Sequence, residues 1–161
     1  MTGKILVLTA IDDELDKARA PDGVEVIYSG AGKVNASSAA TLALLVLRPS
    51  MVINYGTAGR INEALSGLVE VAHVVQRDMM AMPLVPRGRT PYSSNLDKLS
   101  SGFAGVTCGT GDNFVTSDDP WLRENGVRPR GASGIAIMSR CTTCATSTRP
   151  LSWVLIRPTV P

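Results

Sequence analysis

Short apolar segments separated by glycine-rich turns set the pattern of this chain. Residues 4–8 and 51–54 each contain a continuous apolar run, as expected of short strands buried on both faces. Residues 24–28 alternate between apolar and polar positions, and 69–76 and 105–107 are further strand candidates. The pattern therefore predicts several short strands with turns between them.

One helix is predicted between the second and third of these strands. It follows the Gly30-Ala31-Gly32 turn, is capped by Asn35 or Ser37, and ends at Leu47, with Pro49 two residues further on. A strand, a helix and a strand in this order imply a right-handed parallel crossover and a layered α/β fold. In such folds ligands collect where strands end and glycine turns begin.

Composition narrows the class of protein. With 161 residues, of which 44% are hydrophobic, the chain is predicted to form about one globular domain. A net charge of +2 and seven aromatic residues give no expectation of a nucleic-acid or membrane partner. Three cysteines are too few for a secreted disulfide scaffold, and the early apolar run is far shorter than the ~20 residues of a membrane span, so we expect a cytoplasmic protein.

Charge divides the chain into two regions. Residues 1–124 contain all 14 acidic residues and 11 of the 16 basic ones, a net charge of −3. Residues 125–161 contain five arginines, four prolines and no acid, a net charge of +5. We therefore expect an α/β domain over 1–124 and a C-terminal segment of different character over 125–161.

An acidic segment follows the first predicted strand. In Thr9-Ala10-Ile11-Asp12-Asp13-Glu14, the three acids are explained simply as the first turn of a helix, where the helix dipole favours negative charge. Alternatively, one carboxylate at the end of the strand activates a water or holds a sugar hydroxyl. The residues alone leave both interpretations open.

Three glycine-containing segments are the other candidates for binding chemistry. Residues 29–35 lack the third glycine of a dinucleotide fingerprint, so a tight turn leading into the helix explains them equally well. Residues 54–59 either form a loop with positive φ angles or let backbone amides approach a ligand. In residues 108–115, Phe114 either stacks on a planar ring or belongs to the core.

Taken in order, these segments resemble the purine nucleoside phosphorylase superfamily, and within it the nucleosidases that cleave 5′-methylthioadenosine and S-adenosylhomocysteine. Five ordered matches over about residues 4–124 carry the resemblance. They are Ala10-Ile11-Asp12-Asp13-Glu14, Gly30-Ala31-Gly32-Lys33-Val34-Asn35, Gly56-Thr57-Ala58-Gly59, Gln76-Arg77-Asp78-Met79 and Gly109-Thr110-Gly111-Asp112-Asn113-Phe114-Val115.

The resemblance implies a three-layer α/β/α sandwich with a mixed central sheet, and hydrolysis of the N-glycosidic bond of an adenine nucleoside without a cofactor or metal. It makes Glu14 the catalytic carboxylate that orients and deprotonates the attacking water. The substrate-binding residues that it implies are Ala31 near the sugar, Thr57, Ala58 and Gly59 on the ribose and water side, Phe114 and Val115 at the adenine, and Ala10, Ile11, Arg77, Asp78 and Met79.

Several residues depart from the family pattern. Ile11 stands where the family has Met, Arg60 follows Gly59 where a second glycine is common, and Arg77 replaces a frequent histidine. The run Met79-Met80-Ala81-Met82-Pro83 is an adaptable apolar segment that suits a thioether substrate, although core packing is the simpler explanation.

The largest departure follows Glu124. The family carries a glutamate that holds the ribose hydroxyls and an aspartate that protonates the purine, and no acid occurs in 125–161. We hypothesise a frameshift near Val127, so that the fold is incomplete at its C-terminus; the alternative is an authentic divergent tail. Because the acid for the leaving base is missing, the chain is expected to be weakly active or inactive.

The remaining metal-type motif is weak. Cys141 and Cys144 form a CxxC pair within 125–161, but a zinc site needs four ligands, and beyond this pair the chain offers only Cys108 and His73. His73 is expected to be an ordinary strand residue.

Three functions stay open at this point. The first two are a hydrolase and a phosphorylase, of which the hydrolase is favoured because an acid cluster by the first strand would repel phosphate. The third is a nucleoside-binding remnant without turnover. The resemblance also implies a small-molecule nucleoside substrate and a homodimer.

Overall fold

A computed structural model gives the structure of residues 4–60, 65, 67–113, 115, 119–127, 134–138 and 151–158. These residues form eight β-strands, two α-helices and a short 3₁₀ helix over Lys17–Arg19. The strands are β1 (Ile5–Thr9), β2 (Val24–Tyr28), β3 (Met51–Arg60), β4 (Leu68–Gln76), β5 (Lys98–Ser100), β6 (Val106–Gly111), β7 (Gly134–Met138) and β8 (Leu151–Pro158), and the helices are α1 (Lys33–Leu47) and α2 (Pro120–Glu124).

Strand β1 has neighbours on both sides, which explains its unbroken apolar sequence. It pairs in parallel with β2 on one edge and with β3 on the other. Leu6, Val7 and Leu8 are all buried, although successive side chains point to opposite faces. The predicted strands and the parallel crossover through α1 are confirmed.

Helix α1 begins earlier than predicted and without a side-chain cap. Its first residue is Lys33, and the preceding Gly32 has a φ of 100° that favours glycine. Neither Asn35 nor Ser37 is the N-cap: both lie inside the helix, and Asn35 donates its side-chain amide to the Ala31 carbonyl. The predicted cap is therefore wrong, because the glycine turn leads directly into the helix.

The end of α1 is as predicted. Leu47 is its last residue, and Arg48 adopts a left-handed conformation while donating its backbone N–H to the Leu44 carbonyl. Pro49 follows and cannot continue the helix.

Two strands are longer than the sequence predicted. Residues 54–59, expected to be a turn or loop after the third strand, lie within β3, and residues 108–111 lie within β6. The extension follows from partner strands: β8 pairs with β3 from Met51 to Ala58, and β7 pairs with β6 along most of its length. Gly109 and Gly111 of β6 therefore mark close packing against neighbouring side chains rather than a turn.

The strands form a mixed sheet that closes partly on itself. Strands β4 and β6 are parallel to each other, and both are parallel to β7 or β8, which run antiparallel to β3. The pairings β3–β8–β4–β6–β7–β3 make a ring, and the buried residues Ala58, Val71, Val106 and Cys108 form a core cluster on it. The predicted α/β class with a mixed central sheet is confirmed.

Helix α1 covers one face of β1. Ala43 packs against Leu6 and Leu8, whereas the outward side of the helix exposes large apolar residues. The exposed apolar side chains on α1 are Val34, Leu42, Leu44, Leu45 and Val46. Among the described residues, no helix has the length and apolar character to cross a membrane.

Candidate functional site

The Glu14 carboxylate is held by four hydrogen-bond donors. Its Oε1 accepts from the backbone N–H of Thr57 at 2.9 Å and from the Thr57 hydroxyl at 2.7 Å. Its Oε2 accepts from the Thr9 hydroxyl at 3.0 Å and from the Ala10 N–H at 3.1 Å. Each carboxylate oxygen thus has two donors, and the orientation of the group is fixed.

A turn at the end of β1 brings Glu14 into this position. The Glu14 N–H donates to the Ile11 carbonyl, and residues 12–14 form the turn. The explanation of the three acids as the first turn of a helix is therefore wrong. Folding back places the Glu14 side chain over the last residue of β1 and beside Thr57 of β3, which lies 43 residues away in sequence.

Glu14 is also a negative charge without a cationic partner in the described part of the chain. The ion pairs there join Lys33 to Asp78, Arg87 to Asp119, and Arg89 to Asp97. Its own four donors are neutral hydroxyl and amide groups. The charge is therefore fixed in place but not neutralised, which is the state that a group acting on a developing positive charge requires.

The turn between β2 and α1 lies directly beside this carboxylate. Ser29 and Gly30 donate their N–H groups to the carbonyls of Thr9 and Ala10, at 2.9 and 3.0 Å. Gly30 has a φ of 78°, so glycine is required there. The tight-turn interpretation of residues 29–35 is confirmed, and Ala31 at the top of the turn is exposed.

A second carboxylate, Asp78, lies on the far side of this turn. Its Oδ1 accepts from Lys33 Nζ at 2.5 Å, and its Oδ2 accepts from the Asp112 N–H at 2.7 Å. Asp112 in turn accepts the Lys33 backbone N–H at 2.9 Å. Burial alone would raise the pKa of Asp78, but the hydrogen bonds from Lys33 and Asp112 and the charge of Lys33 lower it below its ordinary value.

Arg77 is buried beneath the end of β6 and is bound to protein groups. Its guanidinium donates to the side-chain and backbone oxygens of Asn113. Only 3% of Arg77 is exposed, and its Nε has no hydrogen-bond partner among the described residues. Burial lowers the pKa of Arg77, against the opposing influence of Asp78.

The glycines of β6 make room for this arginine. A Cβ added at Gly111 would lie 2.8 Å from Arg77 Cζ, and one at Gly109 would lie 3.3 Å from Arg77 Cδ. The sequence interpretation considered these glycines only as part of a ligand-binding turn. An arginine directly after an apolar strand, facing a Gly-x-Gly strand end, is the signal that could have indicated this packing.

Sequence reasoning also missed a clamp built on Arg87. The guanidinium pairs with both carboxylate oxygens of Asp119, at 3.0 and 2.6 Å, and lies 4.7 Å from the centre of the Trp121 ring. Its Nε donates to the Arg77 carbonyl at 2.7 Å. Asp119 also caps α2, and the hydrogen bonds from Arg87 lower its pKa. The Asp-Pro start of α2 was a readable helix signal.

Six of the predicted substrate-binding residues fall into two groups. Ala10 and Thr57 contact Glu14 directly, and Ile11 supplies the turn beneath it. Arg77 and Asp78 lie together beside Asp112 and Asn113, with Met79 half-buried next to them. The turn from Gly30 to Lys33 bridges the two groups.

Three further predicted residues have different surroundings. The Ala58 side chain belongs to the buried core cluster, so any ligand contact there would come from its backbone. Val115 packs against the core cluster of Val75, Leu122 and Val127. Phe114 lies outside the described residues.

The methionine-rich segment is not core. Met80 and Met82 are 68% and 70% exposed, and Leu84 beyond them is 67% exposed. The core-packing explanation of this segment is therefore wrong for these side chains, which form an apolar surface next to Asp78.

Metal-binding chemistry has no support in the described part of the chain, where no cluster of three or more His, Cys, Asp or Glu side chains occurs. His73 lies in the middle of β4, opposite Ser100 and Thr107, as expected of an ordinary strand residue. Cys108 is buried in the core, and Cys141 and Cys144 lie outside the described residues.

Comparison with known proteins finds similar folds among solved structures. Neither a protein-family model nor a curated protein matches the sequence. Among solved structures, the chain is similar to a Helicobacter pylori nucleosidase variant with 5′-methylthioadenosine in its active site, at a TM-score of 0.68, 19% identity, and coverage of 98% of this chain and 85% of that chain. The chain has the fold of these nucleosidases.

Two other nucleosidase-fold structures show the same likeness. A Neisseria meningitidis 5′-methylthioadenosine/S-adenosylhomocysteine nucleosidase in complex with methylthio-immucillin-A gives a TM-score of 0.67 at 18% identity, covering 94% of this chain and 84% of that chain. A Helicobacter pylori futalosine hydrolase variant gives 0.66 at 20% identity, covering 97% and 88%. The nucleosidase fold implied by the five sequence motifs is therefore confirmed.

Proposed function

We propose that this chain derives from a nucleosidase that hydrolyses the N-glycosidic bond of an adenine nucleoside of the 5′-methylthioadenosine or S-adenosylhomocysteine class. The observation that carries the proposal is the Glu14 carboxylate, fixed by Thr9, Ala10 and Thr57 and, among the described side chains, without a counter-charge. Since one fold can host many chemistries, it is this geometry in a nucleosidase fold that supports the assignment.

The reaction needs negative charge near the sugar. Glycosidic cleavage passes through an oxocarbenium-like state, which an uncompensated carboxylate stabilises and which a positioned water then attacks. Glu14 supplies that charge and acts as the base for the water. Because its oxygens already have four donors, a hydroxyl of Thr57 or Thr9 turns away when the water binds; hydroxyl donors can rotate, whereas backbone amides cannot.

The base and the ribose are assigned to different sides of the turn from Gly30 to Lys33. Ala10, Ile11, Ala31, Thr57 and the backbone of Ala58 and Gly59 serve the sugar and water. Val115 with Phe114 holds the adenine, and Arg77, Asp78 and Met79 border that side. This division follows the family resemblance, and the two contact groups around Glu14 and Asp78 support it.

Hydrolysis is favoured over phosphorolysis because Lys33 and Arg77 are already bound to protein groups. A phosphorylase needs free cationic groups for phosphate. Lys33 is paired with Asp78, and the Arg77 guanidinium is buried against Asn113. Among the described side chains of the proposed site, these two cations are therefore already bound to protein partners.

We further propose that the present chain turns over weakly or not at all. The family's ribose-binding glutamate and base-protonating aspartate have no counterpart in 125–161, which contains no acid. A frameshift near Val127 explains this composition, and an authentic divergent tail is the alternative. Sequencing the gene tests it: a second open frame encoding the missing Met-Glu and Ser-Asp segments supports the frameshift, and its absence rejects it.

Homodimer formation in the cytoplasm completes the proposal. The exposed apolar side chains along the outer face of α1 supply a surface that a second copy can cover.

Adenine release from 5′-methylthioadenosine, measured with and without phosphate, tests the function directly. Release that does not require phosphate supports a hydrolase, and release that requires it supports a phosphorylase. A rise in Tm with 5′-methylthioadenosine but no adenine release identifies a binding remnant. If the chain releases no adenine and is stabilised by neither adenine nor the nucleoside, the proposal is wrong.

A further inference from the structure

The two chain segments that leave β4 and β6 are tied together just where they separate. The strands run in parallel up to Gln76 and Thr110, and the Arg77 N–H donates to the Thr110 carbonyl at 2.9 Å as the last backbone link. Beyond it, one segment leads to the exposed methionines and the other to Asn113 and Val115. Asp78 is the next residue on the first segment, and its Oδ2 holds the Asp112 N–H of the second.

Lys33 closes this link into a ring of three hydrogen bonds. Its Nζ donates to Asp78 Oδ1, while its backbone N–H donates to Asp112 Oδ1. Lys33 is the first residue of α1, so the ring joins the strand pair β4 and β6 to the turn that is hydrogen-bonded to Thr9 and Ala10, two of the residues that hold Glu14. The Asp78 side chain is only 11% exposed and its bond to the Lys33 ammonium is partly buried, so water competes less for that bond than for the two exposed bonds to Asp112.

We propose that Asp78 is a positioning residue for recognition of the base. It fixes the first residue of the segment 112–115 to the N-terminal end of α1, and so sets the place of the Val115 backbone relative to Glu14. This inference rests on the proposed function, in which Val115 contacts the adenine. Asp78 itself contacts protein groups, with both carboxylate oxygens already engaged.

The Asp78→Asn variant tests the role with little change of shape. Whichever way the amide is turned, its NH₂ group faces either Lys33 Nζ or the Asp112 N–H, so one of the two bonds is replaced by a contact between donors. Hydrogen bonds that involve a charged group are among the stronger ones, so we expect adenine affinity to fall about tenfold or more.

Asp119→Asn is the matched control. Asp119 is also a partly buried aspartate bound to one cation and to a backbone N–H, but it belongs to the Arg87 clamp and not to the ring. Calorimetry with adenine and with 5′-methylthioadenosine, and Tm without ligand, are measured for the unmodified chain and both variants. We expect Asp78→Asn to weaken both ligands by the same factor, and Asp119→Asn to lower Tm while leaving adenine affinity within twofold.

A second variant covers the case in which Asp78→Asn does not fold. Lys33→Met keeps the Asp78 carboxylate and the Lys33 backbone N–H, and removes only the cation. We expect it to weaken adenine binding by severalfold, less than Asp78→Asn does.

The outcomes separate this inference from the function on which it rests. If the unmodified chain binds neither ligand, the proposed function is wrong and the inference falls with it. If the unmodified chain binds adenine but Asp78→Asn and Lys33→Met bind it equally well, or if all variants lose affinity in proportion to Tm, Asp78 is an ordinary structural residue and only the inference is overturned.

Discussion

Glu14 and Asp78 are two carboxylates on either side of one glycine turn, and they are held in different ways. Glu14 accepts four hydrogen bonds from neutral hydroxyl and amide groups, whereas Asp78 accepts one from an amide and one from the Lys33 ammonium. The first arrangement fixes a group and keeps its charge available. The second uses the charge to join segments of the chain. This difference in donors is the basis for proposing a chemical role for Glu14 and a positioning role for Asp78.

The strongest test of this comparison is Glu14→Gln. The substitution keeps the size of the side chain but removes the charge and the basic oxygen, so residual adenine release is expected to fall by on the order of 10²-fold or more. The assay uses high enzyme concentration because the starting activity is expected to be low.

Asp13→Asn is its control, since Asp13 is exposed on the same turn. Equal losses in the two variants would show that general acidity of the turn, and not the fixed carboxylate, supports release.

Thr57→Val is expected to have a smaller effect. It removes the hydroxyl donor at 2.7 Å but keeps the backbone donor at 2.9 Å, so Glu14 retains three of its four hydrogen bonds. Loss of one such bond is worth about 1 to 2 kcal/mol, which predicts a roughly tenfold weaker interaction with 5′-methylthioadenosine and unchanged affinity for adenine. Calorimetry with both ligands measures this.

Thr41→Val on the exposed part of α1 removes a hydroxyl that donates to the Ser37 carbonyl, and should change neither affinity. A Thr57→Val chain that loses adenine binding as well would contradict the division between a sugar side and a base side.

Asp119→Asn changes stability rather than binding. It weakens the ion pair with Arg87, whereas asparagine caps a helix about as well as aspartate, so we expect a loss of about 1 kcal/mol in the free energy of unfolding and a fall in Tm of a few degrees. Denaturant unfolding measures the change. An unaltered unfolding midpoint would show that the Arg87 clamp contributes nothing to the stability of the fold.

The smallest expected effect is the dependence of stability on pH. The pKa values of Asp78 and Asp119 are both lowered on folding from 3.8, so their contribution is present above that pH and is lost as the pH falls through the folded values. Unfolding measured between pH 6 and about pH 3 should therefore show a loss of stability below about pH 4 that is reduced in the Asp78→Asn/Asp119→Asn double variant. If the free energy of unfolding falls with decreasing pH equally in the unmodified chain and the double variant, these two groups do not contribute to the loss of stability in acid.

The sequence was informative wherever a local pattern determines the structure. Buried strands show as apolar runs, and Glu14 could be placed near Thr57 because five motifs occur in the family order. The length of β3 could not be predicted, because it depends on pairing with β8, about 100 residues away in the chain. The ring at Asp78 joins three distant residues and has no local signal, and the same holds for the Arg87 clamp.

The close approach of Arg77 to Gly111 couples the two positions in any variant of this fold. Because the guanidinium occupies the volume that a methyl group at 111 would need, an alanine there requires the end of the Arg77 side chain to shift. The same methyl group would lie 3.0 Å from Asp78 Cγ, so a shorter side chain at 77 alone does not make room for it, and glycine at 111 serves both neighbours at once.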